Sequence, residues 1–291
     1  MIKEMKKDSL AVVMITLNEA HNLERSIKNL KGWADEIFVV DSYSQDKTVD
    51  ICLKHNIPII QKPFLNFGDQ WNFALNNLKI ESSWVMKIDP DEFLSDDLKQ
   101  SIKLNINEDN FDGFYVNRRL WFMNRPLPIN QKILRVWRKG TCNFTNSLVN
   151  EHPVVDGLLS ECKGEMRHYD SPNLEHWISK QNKYTSAEAL ASFNELGLAD
   201  KPLFFGNTLQ RRMFIKKIFY KIPFRYIFLF LYHYIFLGAY REGYIGYMWA
   251  NLRCDVYRMT EYKVRELNAI GEIATSLHLG PGKPDPRCKQ F

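Results

Sequence analysis

Four short apolar runs, separated by segments with helical periodicity, occupy most of residues 10–88. The first run, 10–17, is almost continuously apolar and rich in β-branched residues, which is typical of a strand covered on both faces. Further runs follow at 36–40, 57–61 and 85–88. Because strands that alternate with helices form parallel sheets with right-handed crossovers, the sequence predicts an α/β fold.

Polar and acidic side chains come directly after these predicted strands. Asn18 and Glu19 follow the first, Asp41 ends the second, and Asp89 and Asp91 follow the fourth. In parallel α/β sheets, ligands bind off the carboxyl ends of the strands, so we expect these side chains to line one crevice. Taken singly, Asn18 and Asp46 are equally well explained as ordinary helix caps, and Asp41 as a loop carboxylate.

The pair Asp89 and Asp91 indicates a cation. Side chains two residues apart leave an extended chain on the same face, and two carboxylates placed there repel each other unless a cation lies between them. Carboxylate ligands suit Mg²⁺ or Mn²⁺, which usually complete their shells with substrate phosphates. The sequence has no Gly-x-Gly-x-x-Gly and no Gly-Lys-Ser/Thr phosphate loop, so we expect phosphates to be held through the metal. A surface turn is the alternative interpretation of Asp-Pro-Asp-Glu.

Strand-like stretches return at 114–116, 120–122 and 133–138. Arg118 and Arg119 lie among them, and we interpret both as solvated surface residues, because most arginines on strands are.

Two later residues are candidates for chemistry. Glu151 follows an apolar pair and precedes His152-Pro153, so a partly buried carboxylate with a raised pKa could act as a general base, with His152 as the alternative. His168 could complete a cation site as an imidazole ligand, although a lone histidine is more often structural.

The region after the predicted helix 177–197 has a different character. Residues 201–241 contain eight Lys or Arg and no Asp or Glu. Residues 226–239 are almost wholly apolar and aromatic, too short a run to cross a bilayer. We expect an interfacial anchor for anionic lipid, with a helix pair packed on the catalytic domain or in a dimer interface as the alternative. The basic residues expected to face the membrane are Arg211, Arg212, Lys216, Lys217, Lys221 and Arg225.

The remaining features bound the class of protein. Five scattered cysteines without a Cys-x-x-Cys pair favour reduced thiols and a cytosolic compartment. The residues before the first strand lack an apolar core of signal-peptide length, and no nucleic-acid recognition motif accompanies the net charge of +5. We expect a catalytic domain over 1–200 and a basic, aromatic helical region over 201–291, with a helix at 240–267 and a mobile tail from Gly280.

Several motifs agree with one known family. Thr16-Leu17-Asn18-Glu19, Val39-Val40-Asp41-Ser42 and Asp89-Pro90-Asp91-Glu92 resemble, in order and spacing, the three N-terminal signatures of the GT-A-type, family-two inverting glycosyltransferases. A narrower resemblance is to the lipopolysaccharide-core β-1,4-glucosyltransferase group. It is carried by residues 67–75, the Asn150-Glu151 pair, 176–184 and 238–246, and the whole resemblance covers about residues 10–265.

The resemblance implies a GT-A fold, a nucleoside-diphosphate sugar donor and a role for each matching residue. Glu151 would deprotonate the acceptor hydroxyl. A divalent cation, Mg²⁺ or Mn²⁺, would be held by Asp91, with Asp89 at the ribose or at the metal's waters and His168 as a further ligand. The residues implied to bind the nucleotide are Thr16, Asn18, Glu19, Asp41, Gln70, Asn72, Lys87 and Asp89.

The function predicted from these observations is inverting transfer of a hexose from a nucleoside-diphosphate sugar, with UDP favoured, to a hydroxyl of a lipid-linked or lipopolysaccharide-type acceptor. We expect the protein at the inner face of the cell membrane, with homo-oligomerisation as a further option and no nucleic-acid partner. Two alternatives stay open: a glycosyltransferase that acts on a protein side chain, and a non-catalytic peripheral membrane binding protein.

Overall fold

The first four strands form the parallel half of a sheet, as the sequence predicts. In the computed structural model, β1 pairs in parallel with β2 and with β4, and β2 pairs in parallel with β3. The strands are β1 Leu10–Thr16, β2 Glu36–Asp41, β3 Ile59–Gln61 and β4 Trp84–Lys87, and the helices between them are α1 Ala20–Leu30, α2 Thr48–Lys54 and α3 Phe67–Asn77. The structure describes residues 8–108, 110–145, 152–193, 205, 210–211, 214, 218–219, 222–271 and 282–290.

The described residues divide into two compact units. The first comprises Met1–Leu120, Asn130–Tyr169 and Pro281–Phe291, and the second comprises Trp121–Ile129 and Asp170–Gly280. The predicted boundary at residue 200 lies outside the described residues and stays a prediction.

Longer strands extend the sheet beyond β4. The further elements are β5 Glu92–Leu94, α4 Asp96–Glu108, β6 Gly113–Phe122, β7 Arg125–Arg138, β8 Cys142–Phe144, β9 Pro153–Val155, β10 Leu159–Tyr169 and β11 Lys289–Gln290. The predicted strands 114–116 and 120–122 are both part of β6, and 133–138 is the end of β7. Within the described residues the order of the sheet is β11-β3-β2-β1-β4-β7-β6-β10-β5, with β4–β7 and β5–β10 antiparallel, and β8 and β9 form a separate ribbon.

Both faces of the parallel half are covered by apolar side chains. Alternate residues of β1 divide between two core clusters: Leu10, Val12 and Met14 pack in the cluster that contains α1, whereas Ala11 and Val13 pack in the cluster that contains α3. All five are fully buried. This two-sided burial explains why β1 has no polar alternation, and it confirms the predicted α/β layering.

Apart from the end of β6 and the start of β7, the secondary structure described for the second unit is helical. Aromatic rings hold it together: Trp249 lies 5.2 Å from Phe122 and 6.2 Å from Trp177 between ring centroids. Gly246 is needed because a Cβ there would lie 1.7 Å from the Ala239 carbonyl oxygen. The helices are α5 Leu174–Phe193, α6 Arg225–Leu231, a π-helix Tyr232–Phe236, a 3₁₀ turn Ala239–Glu242 and α7 Gly243–Ile270. Among the described residues, no helix has the length and apolarity to span a bilayer.

The tail prediction was wrong for residues 282–290. These residues return to the sheet, and β11 pairs in parallel with β3, with Lys289 opposite Ile60 and Gln290 opposite Gln61. Cys288 is buried in the same apolar cluster as Cys52 and Ile59. Proline and glycine predict local chain irregularity, but they carry no information about an open sheet edge elsewhere in the fold that the segment can complete.

Candidate functional site

The carboxyl ends of β1, β2 and β3 meet at Asp41. Its Oδ1 accepts a hydrogen bond from Thr16 Oγ1 at 2.8 Å, and its Oδ2 accepts one from Gln61 Nε2 at 2.8 Å. Ser44 donates two more, from its backbone N–H at 2.9 Å and its hydroxyl at 2.5 Å. Asp41 is fully buried, so these four bonds satisfy its carboxylate in place of water. Asp41 therefore joins the ends of β1 and β3 to the loop that follows β2.

The loops after β1 and β2 are hydrogen-bonded to each other. Asn18 N–H donates to Ser44 Oγ at 2.8 Å, and Asn18 Oδ1 accepts from Gln45 N–H at 2.8 Å. Asn18 has φ 56°, a left-handed conformation that asparagine tolerates better than most residues. Glu19 N–H donates to Thr48 Oγ1 at 2.9 Å. The ends of β1 and β2 therefore lie together, whereas the convergence of Asp89 and Asp91 on the same crevice stays a prediction.

Asp46 caps two helices at once. Its Oδ2 accepts a hydrogen bond from Ala20 N–H, the first residue of α1, at 3.0 Å, and its Oδ1 accepts one from Thr48 N–H, the first residue of α2, at 2.9 Å. A carboxylate at a helix N-terminus also interacts favourably with the helix dipole. The interpretation of Asp46 as a cap is confirmed, and Asn18 instead supports the turn before α1.

Three further predicted residues are turned toward protein groups. Gln70 is fully buried and donates from Nε2 to Ser42 Oγ at 3.2 Å. Asn72 pairs with the backbone of Phe144 in both directions, at 2.9 and 2.8 Å. Lys87, at the end of β4, is buried with its ammonium 4.5 Å from the centroid of the Trp71 ring. These residues form a layer behind the loops, where they fix α3 and β8.

The acidic loop after β4 contains a buried ion network that sequence reasoning missed. Arg135 Nη2 donates to Asp89 Oδ2 at 3.0 Å and to Glu92 Oε1 at 2.5 Å, and Arg118 Nη1 donates to Glu92 Oε1 at 3.1 Å. Burial favours the neutral form of Asp89, but the charges of Arg135 and Lys87 outweigh it and hold the pKa of Asp89 below its usual value. The interpretation of Arg118 as solvated was wrong.

Asp91 has a different partner from Asp89. Its Oδ2 lies 3.3 Å from His168 Nε2, and β5 pairs with β10 such that His168 stands opposite Glu92. The same-face argument fails here because the chain turns: Glu92 N–H donates to the Asp89 carbonyl at 2.9 Å, so residues 89–91 are not extended. Burial favours neutral His168, but the charge of Asp91 and its hydrogen bond raise the pKa of His168 above its usual value.

Comparison with known proteins adds the family. The pattern of the family described as "Glycosyl transferase family 2" matches residues 11–156, half of the chain, from the second residue of β1 to the end of β9. The chain belongs to glycosyl transferase family 2. An uncharacterised glycosyltransferase of Rickettsia prowazekii is 30% identical over 202 residues, which cover 64% of this chain and 68% of that protein. One from Rickettsia bellii is 29% identical over 205 residues, which cover 65% and 69% respectively. The protein is therefore a glycosyltransferase.

One solved structure with a similar fold is that of Staphylococcus aureus TarS, residues 1–349, in complex with UDP-GlcNAc. Its TM-score against this chain is 0.48. That similarity covers 92% of this chain and 93% of TarS 1–349, at 13% identity.

The remaining predicted site residues are the general base, the basic residues expected to face the membrane, and Glu19. Glu151, Arg212, Lys216, Lys217 and Lys221 lie outside the described residues, and Arg211 is exposed. Arg225 is engaged internally: its Nη2 donates to both carboxylate oxygens of Glu261, at 2.7 and 2.6 Å. Glu19 keeps a partly exposed carboxylate that accepts a bond from Asn22 Nδ2 at 3.2 Å.

Proposed function

We propose that this family 2 glycosyltransferase transfers a hexose from a nucleoside-diphosphate sugar to a hydroxyl of a lipid-linked or lipopolysaccharide-type surface-glycan acceptor, with inversion at the anomeric carbon. The observation that carries the proposal is the pair of Asp91, in the loop that follows the carboxyl end of β4, and His168, near the end of β10. Ligands of α/β sheets bind off the carboxyl ends of parallel strands. UDP is the favoured nucleotide, and the narrower resemblance to lipopolysaccharide-core glucosyltransferases supplies the acceptor class.

The side chains at this position fit a divalent cation. Asp91 offers a carboxylate oxygen and His168 an imidazole nitrogen, whereas Asp89 is committed to Arg135. Asp170, two residues after His168 in the sequence, is the next carboxylate along the chain. We propose that Asp91 and His168 hold Mg²⁺ or Mn²⁺, with Asp89 supporting the loop rather than binding the ion directly. When bound, such an ion stabilises the negative charge of the departing diphosphate.

The interlocked loops provide the nucleotide side of the site. Asn18 and Glu19 lie at the carboxyl edge of β1, and the partly exposed carboxylate of Glu19 is suited to accept hydrogen bonds from ribose hydroxyls. Asp41 is buried, so it acts by holding Thr16 and Ser44 in place. We therefore divide the predicted nucleotide residues into contact residues and supporting residues, the latter including Gln70, Asn72 and Lys87.

The reaction is a single displacement. Glu151 accepts the proton of the acceptor hydroxyl, whose oxygen forms a bond to the anomeric carbon as the bond from that carbon to the diphosphate oxygen breaks. The diphosphate leaves with the electron pair of the broken bond, and attack from the opposite side inverts the anomeric configuration.

A panel of nucleoside-diphosphate sugars tests the proposed function. The purified protein is incubated with each donor and MnCl₂ or MgCl₂, and nucleoside-diphosphate release is measured with and without lipopolysaccharide-derived oligosaccharide acceptors. We expect metal-dependent release from one donor that rises when an acceptor is present. Absence of both hydrolysis and transfer across the panel would contradict the proposal and favour the non-catalytic alternative.

An exposed apolar surface on the second unit supports association of the protein with a membrane, where a lipid-linked acceptor would lie. The surface comprises Ile227 and Phe228 on α6 and, eight residues further along, Ile235 and Phe236 on the π-helix. All four side chains are more than half exposed, and Phe236 is 82% exposed. The sequence around this surface, residues 201–241, is basic and free of acidic residues. An aromatic face beside a cationic segment suits the interface of an anionic membrane, so we propose location at the inner face of the cell membrane.

Vesicle sedimentation tests this location. The variant Phe228→Ser/Phe236→Ser is compared with Leu104→Ser, which removes an equally exposed apolar side chain (64%) from α4 in the other unit. We expect the double variant to lose binding to phosphatidylserine-containing vesicles and the α4 variant to keep it. Unchanged binding by the double variant would exclude this surface, and a loss of self-association instead would identify it as a contact between copies of the chain.

A further inference from the structure

Residues 282–290, here called the tail segment, extend the parallel half of the sheet on the side of β3. Besides the pairing of β11 with β3, Arg287 Nη1 donates to Asp50 Oδ1 on α2 at 2.7 Å, and the Cys288 side chain is buried in the apolar cluster below α2. Burial raises the pKa of the Cys288 thiol to about 11, so the thiol stays neutral and apolar in this position. The segment is anchored at both the sheet edge and the adjacent helix.

One buried side chain joins the tail segment to the site. Gln61 is fully buried, and its Oε1 accepts hydrogen bonds from Asp285 N–H at 2.7 Å and from Gln290 Nε2 at 3.1 Å. Its Nε2 donates to Asp41 Oδ2 at 2.8 Å. Two donors on one side and a carboxylate on the other allow only one orientation of the amide. Without the tail segment, the Gln61 oxygen would lose both of its partners.

Asp41 connects Gln61 to the loops after β1 and β2 through further hydrogen bonds. It accepts hydrogen bonds from the backbone and hydroxyl of Ser44, and the Ser44 hydroxyl in turn accepts from Asn18 N–H at 2.8 Å. A continuous hydrogen-bonded path therefore runs from the tail segment through Gln61 and Asp41 to the loops after β2 and β1. Hydrogen-bond chains of this kind are sensitive to the loss of any member, because each buried partner is then left unsatisfied.

A second contact supports the β2 loop from outside. Gly282 packs so closely that a Cβ would lie 1.9 Å from the Tyr43 carbonyl oxygen and 2.2 Å from Gln45 Nε2. Gln45 Nε2 also donates to the Lys283 carbonyl at 3.3 Å. Tyr43 has φ 64°, a left-handed conformation that is rare for a bulky residue and persists only where the surroundings hold it. The tail segment is part of those surroundings.

We infer that the tail segment is a positioning element of the donor site, with Gln61 as its positioning residue: it holds the loop of residues 42–48 in the conformation that binds the nucleotide. The inference rests on the proposed function for the identity of the ligand, but the coupling of the tail segment to the loop does not. Because neither Gln61 nor Gly282 is placed at the reacting atoms, their loss affects donor affinity rather than the chemical step.

Two variants that act on different ends of the path test the inference. Gln61→Met keeps the approximate side-chain volume and removes all three hydrogen bonds, and Gly282→Ala forces the tail segment away from Tyr43. Pro284→Ala, an exposed position in the same segment, is the matched control. The measurements on the full chain are amide hydrogen exchange of residues 42–48 without ligand, calorimetric binding of UDP with MnCl₂, and KM and kcat for the donor.

We expect faster exchange in residues 42–48 in both variants, weaker UDP binding, and a donor KM raised by about three- to tenfold with kcat nearly unchanged, the effect of about one lost buried hydrogen bond. Pro284→Ala should match the unaltered protein. Unchanged exchange of residues 42–48 in both variants would overturn the inference, as would a loss confined to kcat. If the unaltered protein binds no UDP or other nucleoside diphosphate, the proposed function fails, and the exchange result alone then decides whether the tail segment positions the loop.

Discussion

His168 Nε2 lies 3.3 Å from Asp91 Oδ2, although His168 belongs to β10 and Asp91 lies in the turn before β5, in a distant part of the sequence. The pairing depends on the antiparallel register of β5 and β10, which sets Arg167 opposite Phe93 and His168 opposite Glu92. Asp89, two residues before Asp91, is paired instead with Arg135 of β7. Asp89 and Asp91, which look equivalent in the sequence, therefore have different partners in the fold.

The Asp91→Asn variant should lose metal-dependent transfer by at least about a hundredfold, because it removes a group that would help to stabilise charge developing on the leaving diphosphate. Turnover with the best donor is measured against added Mn²⁺, and circular dichroism checks the fold. Asp97→Asn, on the exposed start of α4, is the matched control. Full activity of Asp91→Asn would remove Asp91 from the site.

The Glu151→Gln variant should lower turnover by about a hundredfold or more while donor binding is kept, because an amide cannot accept the acceptor proton. Turnover is measured with saturating donor, and UDP binding is measured by calorimetry. His152→Gln serves as the comparison. Should Glu151→Gln turn over normally while His152→Gln does not, the general base is His152.

The Asp46→Ala variant should lower the free energy of unfolding by about 2 kcal/mol, since it removes one hydrogen-bonded cap from each of two helices. Urea unfolding gives the measurement. Asp46→Asn keeps one carbonyl oxygen and should recover part of the loss. A destabilisation no larger in Asp46→Ala than in Asp46→Asn would show that only one of the two caps matters.

The Glu261→Gln variant tests an ion pair in the second unit through its pH dependence. Burial favours the neutral acid, but hydrogen bonds from Arg225, Tyr226 and Arg265 outweigh it and lower the pKa of Glu261 from 4.5 to about 2. A carboxylate whose folded pKa is depressed contributes stability above its unfolded pKa and loses it as the pH falls toward the folded value. The variant should therefore be less stable at pH 7 by about 2 kcal/mol, with the difference shrinking between about pH 4.5 and pH 2.

Urea midpoints at several pH values give this comparison. Glu266→Gln, an exposed position on the same helix, is the control and should follow the unaltered protein. A pH-independent difference for Glu261→Gln would show that the lost interaction is packing rather than charge.

Local patterns sufficed for the parallel half of the fold. The residues of β1 and β2 are apolar because helices cover both faces, so the runs in the sequence report their burial directly. Asp41, Asp89 and Asp91 were placed at strand ends by the same periodicity. Their partners were not predictable in this way, because Gln61, Arg135 and His168 reach them through strand register and chain reversal, which leave no periodic trace in the sequence.

The amino-acid sequence by itself determined the α/β layering, the edge at which the polar residues gather and the glycosyltransferase family, because these follow from local hydrophobic periodicity and short motifs. Only the tertiary structure decided the partners of each carboxylate: Asp41 accepts four hydrogen bonds, Asp89 pairs with Arg135, and Asp91 pairs with His168. The reason is that the partners of a charged group depend on what the rest of the chain brings within hydrogen-bonding distance of it.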